Sequence, residues 1–219
     1  MDGNGRWAQQ RLQPRAFGHR RGAKAARVVA RAASDIGIEV LTLFAFSQEN
    51  WHRPEEEVSL LMRLFVRTLQ REIRLLTRNN VRWHFIGERA AFAPQLQALM
   101  VEAEEKSAHC TGLLLQVAVG YGGQWDVAQA AARATVEGAS VTAEAIESRL
   151  STAGQAPVDL MIRTGGEFRI SNFMLWQLAY AELYFCDTLW PEFDGEGLQA
   201  AIHWFGRRQR RFGRVPEAS

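Results

Sequence analysis

The 219-residue sequence has only two cysteines, Cys110 and Cys186, too few for a disulfide framework, and both thiols are expected to be reduced. No apolar run approaches the roughly 18 residues that a membrane-spanning helix needs, and no basic-then-apolar leader is visible. A cytoplasmic protein is the expectation. A dominant charge of one sign is also missing. The net charge is +2, which gives no reason to expect a nucleic acid as partner. The Walker pattern Gly-x-x-x-x-Gly-Lys-Ser/Thr and the dinucleotide fingerprint are absent too. There is no internal repeat and no linker long enough to divide the chain, so 1–219 reads as a single domain. What is present is ordinary globular composition, 47% apolar and 23% charged, with enough length to bury a sizeable core.

Periodicity divides the chain into alternating helices and strands. Ala23, Ala26, Val29, Ala30 and Ala33 recur at helical spacing over 18–34, and Gly37 supplies a stop. The nearly unbroken β-prone run over 38–46 suits a strand covered on both faces. A polar loop, 47–54, follows it. A long amphipathic helix is predicted over 55–79, a strand over 81–87, a helix over 94–108 and a strand over 112–119, closed by Gly120-Tyr121-Gly122-Gly123. Further helices are expected at 125–136, at 142–150 with Thr142 as cap, at 175–181 and at 198–211, with strands at 158–162 and 183–185. This alternation indicates an α/β fold, a central and mainly parallel sheet surrounded by helices.

The unusual polar residues collect at strand ends, the rim where open α/β sheets bind ligands. Met1-Asp2-Gly3-Asn4-Gly5-Arg6-Trp7 packs an acid, two glycines, an amide and an arginine together. Glycine allows backbone N–H groups to approach a phosphate, and a divalent cation would mediate between phosphate and Asp2. An exposed glycine-rich terminus without chemistry is the plain alternative. Arg6, Arg15, His19, Arg20 and Arg21 form a basic group around this loop. Arg163 and Arg169 bracket two glycines and precede Ser171, which suits a diphosphate because guanidinium forks bind phosphate oxygens bidentately. Ordinary surface ion pairs are the alternative there. Glu182 fits either a cap or a metal ligand, and Trp51, beside Arg53, fits either a ligand cover or a buried anchor. His52, His84, His109 and His203 are read as structural. The basic run at 207–211 ends an amphipathic helix, where cations suit the helix dipole. Two candidate diphosphate sites, a metal and several apolar helices point to the making or breaking of an apolar diphosphate ester.

Several motifs together resemble a known family. Asp2-Gly3-Asn4-Gly5-Arg6-Trp7, Arg15-Ala16-Phe17-Gly18-His19, Phe46-Ser47-Gln48-Glu49-Asn50-Trp51 with Arg53-Pro54, and Arg163-Thr164-Gly165-Gly166-Glu167 with Arg169-Ile170-Ser171-Asn172-Phe173 resemble the cis-prenyltransferases, the family of the bacterial undecaprenyl diphosphate synthases. The likeness continues through Trp176-Gln177, Tyr180-Ala181-Glu182-Leu183 and Arg210-Arg211-Phe212-Gly213. It implies a homodimer with an apolar tunnel, a Mg²⁺ cofactor, and farnesyl diphosphate and isopentenyl diphosphate as substrates. It also implies a peripheral membrane contact for product release and no nucleic acid. By the same resemblance, Gly3, Asn4, Gly5, Arg6, Trp7, Arg15, His19, Ser47, Gln48, Glu49, Trp51 and Arg53 would bind the allylic substrate. Arg163, Arg169, Ile170 and Ser171 would bind isopentenyl diphosphate. Asp2 and Glu182 match the magnesium-associated acids, and Asp2 and Asn50 the catalytic positions. An amide is very weakly basic, so Asn50 is expected to orient substrate, with Asp2, His19 or a diphosphate oxygen as the other acceptors.

Some positions depart from the family pattern. Phe168 stands where close relatives often carry histidine or another polar residue, Gly120 where asparagine is usual, and Gln124 where arginine is usual. The family also has an apolar strand before its Asp-Gly-Asn-Gly motif, so a first strand encoded upstream of Met1 is an expectation. The chain has no Asp-Asp pair, unlike the all-helical trans-prenyl synthases. A non-catalytic partner subunit of the same fold is the competing reading. Retention of both phosphate sets, from Asp2 through Ser171, argues against it.

Overall fold

The computed structural model describes residues 1–208. Seven helices alternate with five strands among them: α1 (Asn4–Gln9), α2 (Arg15–Asp35), β1 (Val40–Ser47), α3 (Glu55–Arg78), β2 (Arg82–Ile86), α4 (Pro94–Ser107), β3 (Leu114–Tyr121), α5 (Gly123–Val136), α6 (Ala143–Glu147), β4 (Leu160–Arg163), β5 (Glu182–Phe185) and α7 (Gly195–Gly206). Short 3₁₀ turns occupy Gln48–His52, Arg89–Ala91 and Trp190–Glu192.

Every strand pairing is parallel, as the alternating pattern predicts. Two sheets result, a three-stranded one in the order β1-β3-β2 and a two-stranded one of β4 and β5. The central strand β3 is buried at all eight positions, which explains why its sequence lacks a two-residue period. The main core lies between this sheet and α2, α3 and α4, built on residues such as Val29, Leu69, Phe85, Met100 and Val117. A smaller cluster joins Ile86 and Ala118 of the first sheet to Met161 of β4 and to Met174 and Leu178.

The first residues of the chain tie the two sheets together. Met1 packs against the main core. Asp2 is locked to the residue after β4 by a reciprocal pair: its N–H donates to Thr164 Oγ1 (3.0 Å), and the Thr164 hydroxyl donates to the Asp2 carbonyl (3.0 Å). Trp190 N–H also donates to the Asp2 carbonyl, at 2.9 Å.

Beyond this clamp, α1 lies across α2 at a distance only glycine permits. A Cβ at Gly18 would stand 1.9 Å from the Asn4 carbonyl oxygen, which is backbone and cannot swing away. Gly18→Ala is therefore expected to cost about 1–3 kcal/mol of overpacking. In a chain of this size that is roughly 2–4 °C of melting midpoint per kcal/mol, read by circular dichroism.

Several boundaries differ from those expected. The opening motif is not a loop throughout, since α1 begins inside it at Asn4. The strand expected to close after 119 runs on, because Gly120 and Tyr121 extend β3, and α5 starts at Gly123. Buried Tyr121 donates to Asp126 Oδ2 at 2.9 Å, which holds that junction. No helix forms over 175–181. This stretch is a series of turns, entered through left-handed residues Ser171, Asn172 and Met174 and pinned by Gln177 Nε2 to Asp126 Oδ2 (3.2 Å) and Thr152 Oγ1 (2.9 Å). Thr142 does cap α6, accepting from Ala145 N–H at 3.2 Å. The final helix starts earlier than expected, at the Asp194 cap, and the expectations for 209–211 and for Arg210-Arg211-Phe212-Gly213 lie outside the described residues.

Candidate active site

The C-terminal ends of β1, β3 and β4 carry the residues singled out at strand ends. Asp2 is their meeting point. Its Oδ1 accepts from Gly3 N–H (2.6 Å) and lies 3.5 Å from Arg6 Nη2, while its Oδ2 accepts from Arg163 Nη2 at 3.0 Å. Burial alone would raise the Asp2 pKa. The hydrogen bonds from Arg163 and Gly3 and the charges of Arg163 and Arg6 outweigh it, so the carboxyl sits below its usual range and stays ionised. Arg163 also donates through Nη1 to Ser171 Oγ (2.7 Å) and to the Arg169 carbonyl. Arg169 in turn pairs with Glu167, whose other oxygen lies 3.4 Å from Arg6. Arg6 of one basic set and Arg163 of the other, read separately in the sequence, thus share one acidic centre.

A second cationic cluster lies on the neighbouring helices. Glu57, in the first turn of α3, gathers Arg53 (2.9 Å), Arg15 (3.4 Å) and His19 (3.5 Å) on its Oε1. Burial works to raise the Glu57 pKa, but the charges of Arg15 and Arg53 lower it below its ordinary value. Burial above all lowers that of His19; Glu57 opposes, while Arg53 and Arg15 add to the lowering, so the imidazole is neutral at pH 7. Arg15 reaches this place by lying on the backbone of the opening motif, where a Cβ at Gly5 would stand 2.8 Å from its Cζ. Two guanidiniums against one carboxylate leave positive charge in excess, which suits an anionic group.

Beneath both clusters runs an apolar cavity of about 170 Å³ between α2, α3 and the face of β1. Met1, Asn4 and His19 line it at the cationic end, and Ala26, Ala30, Leu43, Ala45, Phe65 and Leu69 line its walls. Small residues on α2 and β1 make the space, because alanine side chains leave the gap that leucine would fill. A site with cations at the mouth and an apolar interior suits a ligand with an anionic head and a hydrocarbon tail.

A family model for undecaprenyl diphosphate synthase, of the prenyltransferase type, matches residues 1–213. The chain belongs to this prenyltransferase family. Its relatives include the ditrans,polycis-undecaprenyl-diphosphate synthase ((2E,6E)-farnesyl-diphosphate specific) of Shewanella oneidensis, 53% identical over 97% of this chain and 80% of that protein. The protein of the same name from Pseudomonas aeruginosa is 53% identical over 99% of this chain and 89% of its own. Among solved structures, lavandulyl diphosphate synthase from Lavandula x intermedia, in complex with dimethylallyl diphosphate, superposes with a TM-score of 0.93 at 32% identity, covering 97% of this chain and 95% of that one.

In this prenyltransferase several expected site residues take structural places. Trp7 is buried and stacks on Phe17 (5.8 Å between ring centroids), with the Arg11 guanidinium 4.3 Å over its ring. Trp51 is an anchor, packed on Phe46 at 4.8 Å and Phe92 at 5.1 Å. Asn50 accepts from Ser47 N–H through Oδ1 (3.1 Å), half of a capping box that shapes the turn at Gln48–His52. Gln48 bonds Glu88 at 3.3 Å, and Glu49 accepts from Asn172 Nδ2 at 2.7 Å, so the turn is tied to the loop that carries Ser171. Ile170 packs into the smaller core cluster. Asn4 donates to the Met1 carbonyl (3.3 Å), and its buried Oδ1 lines the cavity mouth without a partner.

Glu182 sits on the strand that pairs with β4. It opens β5 opposite Leu160, whereas Arg163, which holds Asp2, pairs with Phe185. Three strand residues separate these levels by about 10 Å along the backbone. The sequence reading also missed Glu57, Thr164, Glu167 and Asn172. Glu57 carried a signal, its place four residues after Arg53 in the first turn of a helix. Phe168, at the site of departure from the family, is 78% exposed and leans on Phe185 at 5.5 Å.

Proposed function

We propose that this chain condenses isopentenyl diphosphate with farnesyl diphosphate in successive cis additions, giving a polyprenyl diphosphate of the undecaprenyl type. The observation that carries the reading is the convergence of two cation sets on Asp2 and Glu57 above one apolar cavity. Relatives at 53% identity that bear this activity in their names support it.

Arg6, Arg15, His19 and Arg53, with the backbone of Gly3 and Gly5, hold the allylic diphosphate, and its hydrocarbon tail enters the cavity. Arg163, Arg169 and Ser171 hold the diphosphate of isopentenyl diphosphate. The allylic C1–O bond breaks and the diphosphate leaves with the electron pair, stabilised by guanidiniums already in place. The isopentenyl double bond supplies the electrons for the new carbon–carbon bond, and loss of one proton sets the cis double bond. Asn50 Oδ1 is already engaged with Ser47, so its role is to shape the turn. Asp2, His19 Nε2 and a diphosphate oxygen remain as acceptors.

Magnesium belongs to this reading. An ionised Asp2 carboxylate at the mouth fits it, because Mg²⁺ is commonly held by one or two carboxylates plus substrate phosphates. When bound, it neutralises charge on the diphosphate. The acting unit is the single domain 1–219, paired as a homodimer through an apolar patch around Phe168, Tyr180 and Leu183, which are exposed in the single chain. Among the described residues no helix is long and apolar enough to cross a membrane. A cytoplasmic enzyme that meets the membrane only peripherally, to release product, agrees with this.

Purified protein with Mg²⁺, farnesyl diphosphate and labelled isopentenyl diphosphate is expected to yield a long polyprenyl diphosphate that co-chromatographs with cis standards. Label that stays in unreacted isopentenyl diphosphate would refute the reading.

A further inference from the structure

The apolar cavity ends on charge. Glu57, at the cationic mouth, and Glu72 both belong to α3, and fifteen residues of helix separate them by about 22 Å. Thus Glu72 lies at the far end, beside Trp83 and Leu115 from the opening halves of β2 and β3. The Glu72 side chain is only 3% exposed, yet Arg27 of α2 reaches it at 3.3 Å and Arg71 at 2.8 Å, both on Oε1. Its other oxygen, Oε2, is buried without a hydrogen bond, as is Trp83 Nε1, and both residues line the cavity. No step of the chemistry at Asp2 uses these groups.

We propose that the Glu72–Arg27 ion pair between α3 and α2 is the stop that sets product chain length. The inference rests on the condensation reading of the same cavity. Each added isoprene unit pushes the tail's apolar end further along α3. At Glu72 that end meets a carboxylate oxygen, Oε2, and an indole N–H that have no protein partner, and apolar contact there denies both any other one. To pass between α2 and α3 the tail must separate Glu72 from Arg27 and leave the buried carboxylate with Arg71 as its one remaining cation. Arg27 is 34% exposed, so the pair also stands at the wall between cavity and solvent.

The test compares product lengths by reversed-phase chromatography for wild type, Glu72→Gln and the paired Glu72→Leu/Arg27→Met variant, under matched substrate ratios. Glu72→Gln keeps the side-chain volume, and the paired variant removes both charges together so that neither is stranded. The expected result is a shift of the main product by at least one isoprene unit toward longer chains, larger in the paired variant. The ratio of long to short products is the readout, since a general loss of activity leaves it unchanged. A wild-type distribution in folded Glu72→Gln, or shorter products in either variant, overturns the stop. If the wild-type protein itself elongates nothing, the condensation reading fails instead, and the two failures are told apart in one experiment.

Discussion

Asp2→Ala is expected to lower kcat/KM for chain elongation by about 10³-fold or more, measured as incorporation of labelled isopentenyl diphosphate. The size follows from how many groups rest on one carboxylate. Gly3 N–H, Arg6 and Arg163 all converge on it, and loss of one preorganised electrostatic group commonly costs 10²–10³-fold. Here the loss also leaves Arg163 without its anion, leaves Arg6 with Glu167 alone, and removes the candidate magnesium ligand. Asp2→Asn separates charge from shape. The amide can still accept from Gly3 N–H, so the melting midpoint is expected to hold while activity falls nearly as far. If the asparagine variant kept a tenth of wild-type activity, the carboxylate would be a packing element rather than a reacting one. Because the Asp2 pKa is lowered, the carboxylate stays ionised down through the usual carboxylate range, so an acid limb near neutrality belongs to another group.

Arg163→Ala is expected to be the second most damaging change, with a fall of about 10²-fold or more in kcat/KM, carried largely by KM for isopentenyl diphosphate. The side chain is 12% exposed and spends its fork on Asp2, Ser171 and the Arg169 carbonyl. Lysine is a point charge without that fork, so Arg163→Lys should recover little. Arg169 differs. It is 61% exposed and paired with Glu167, so Arg169→Ala should raise KM for isopentenyl diphosphate only several-fold and affect the allylic substrate less. Equal effects on both substrates, or a larger effect on the allylic one, would exchange the two diphosphate sites.

Much of this arrangement is legible in the sequence, for physical reasons that differ from element to element. The helices at Arg15–Asp35 and Glu55–Arg78 announce themselves because one face is buried and the other is wet, so hydrophobic period and geometry coincide. Strand β3 is legible as an apolar run because both faces are covered. The stretch at 175–181 misleads because its apolar residues pack into turns dictated by Asp126, a partner some fifty positions away, and no local period records that. The basic sets are visible as types, whereas the acids that organise them are not. Glu57 looks like any first-turn glutamate, and only the folded chain shows two guanidiniums and an imidazole around it. Trp7 and Trp51 show the opposite case. Each sits inside a motif rich in site residues, yet a large apolar ring is worth most when buried, and both rings are packed on phenylalanines.

The clamp between Asp2 and Thr164 has a consequence for how the protein is made. Its two hydrogen bonds join residues 162 positions apart, and Trp190 adds a third from still further along the chain. At a synthesis rate of about 5–20 residues per second, the opening motif waits roughly 10–40 s after it leaves the ribosome before its partners exist. Helices α1 and α2 can pair during that time, but the carboxylate has nothing to hold it. Closing so long a loop is also the entropically costly step, and it comes after local structure has formed. Reactivity therefore has to wait for Thr164 and Trp190, and a product that stops before them carries the motif without the competence.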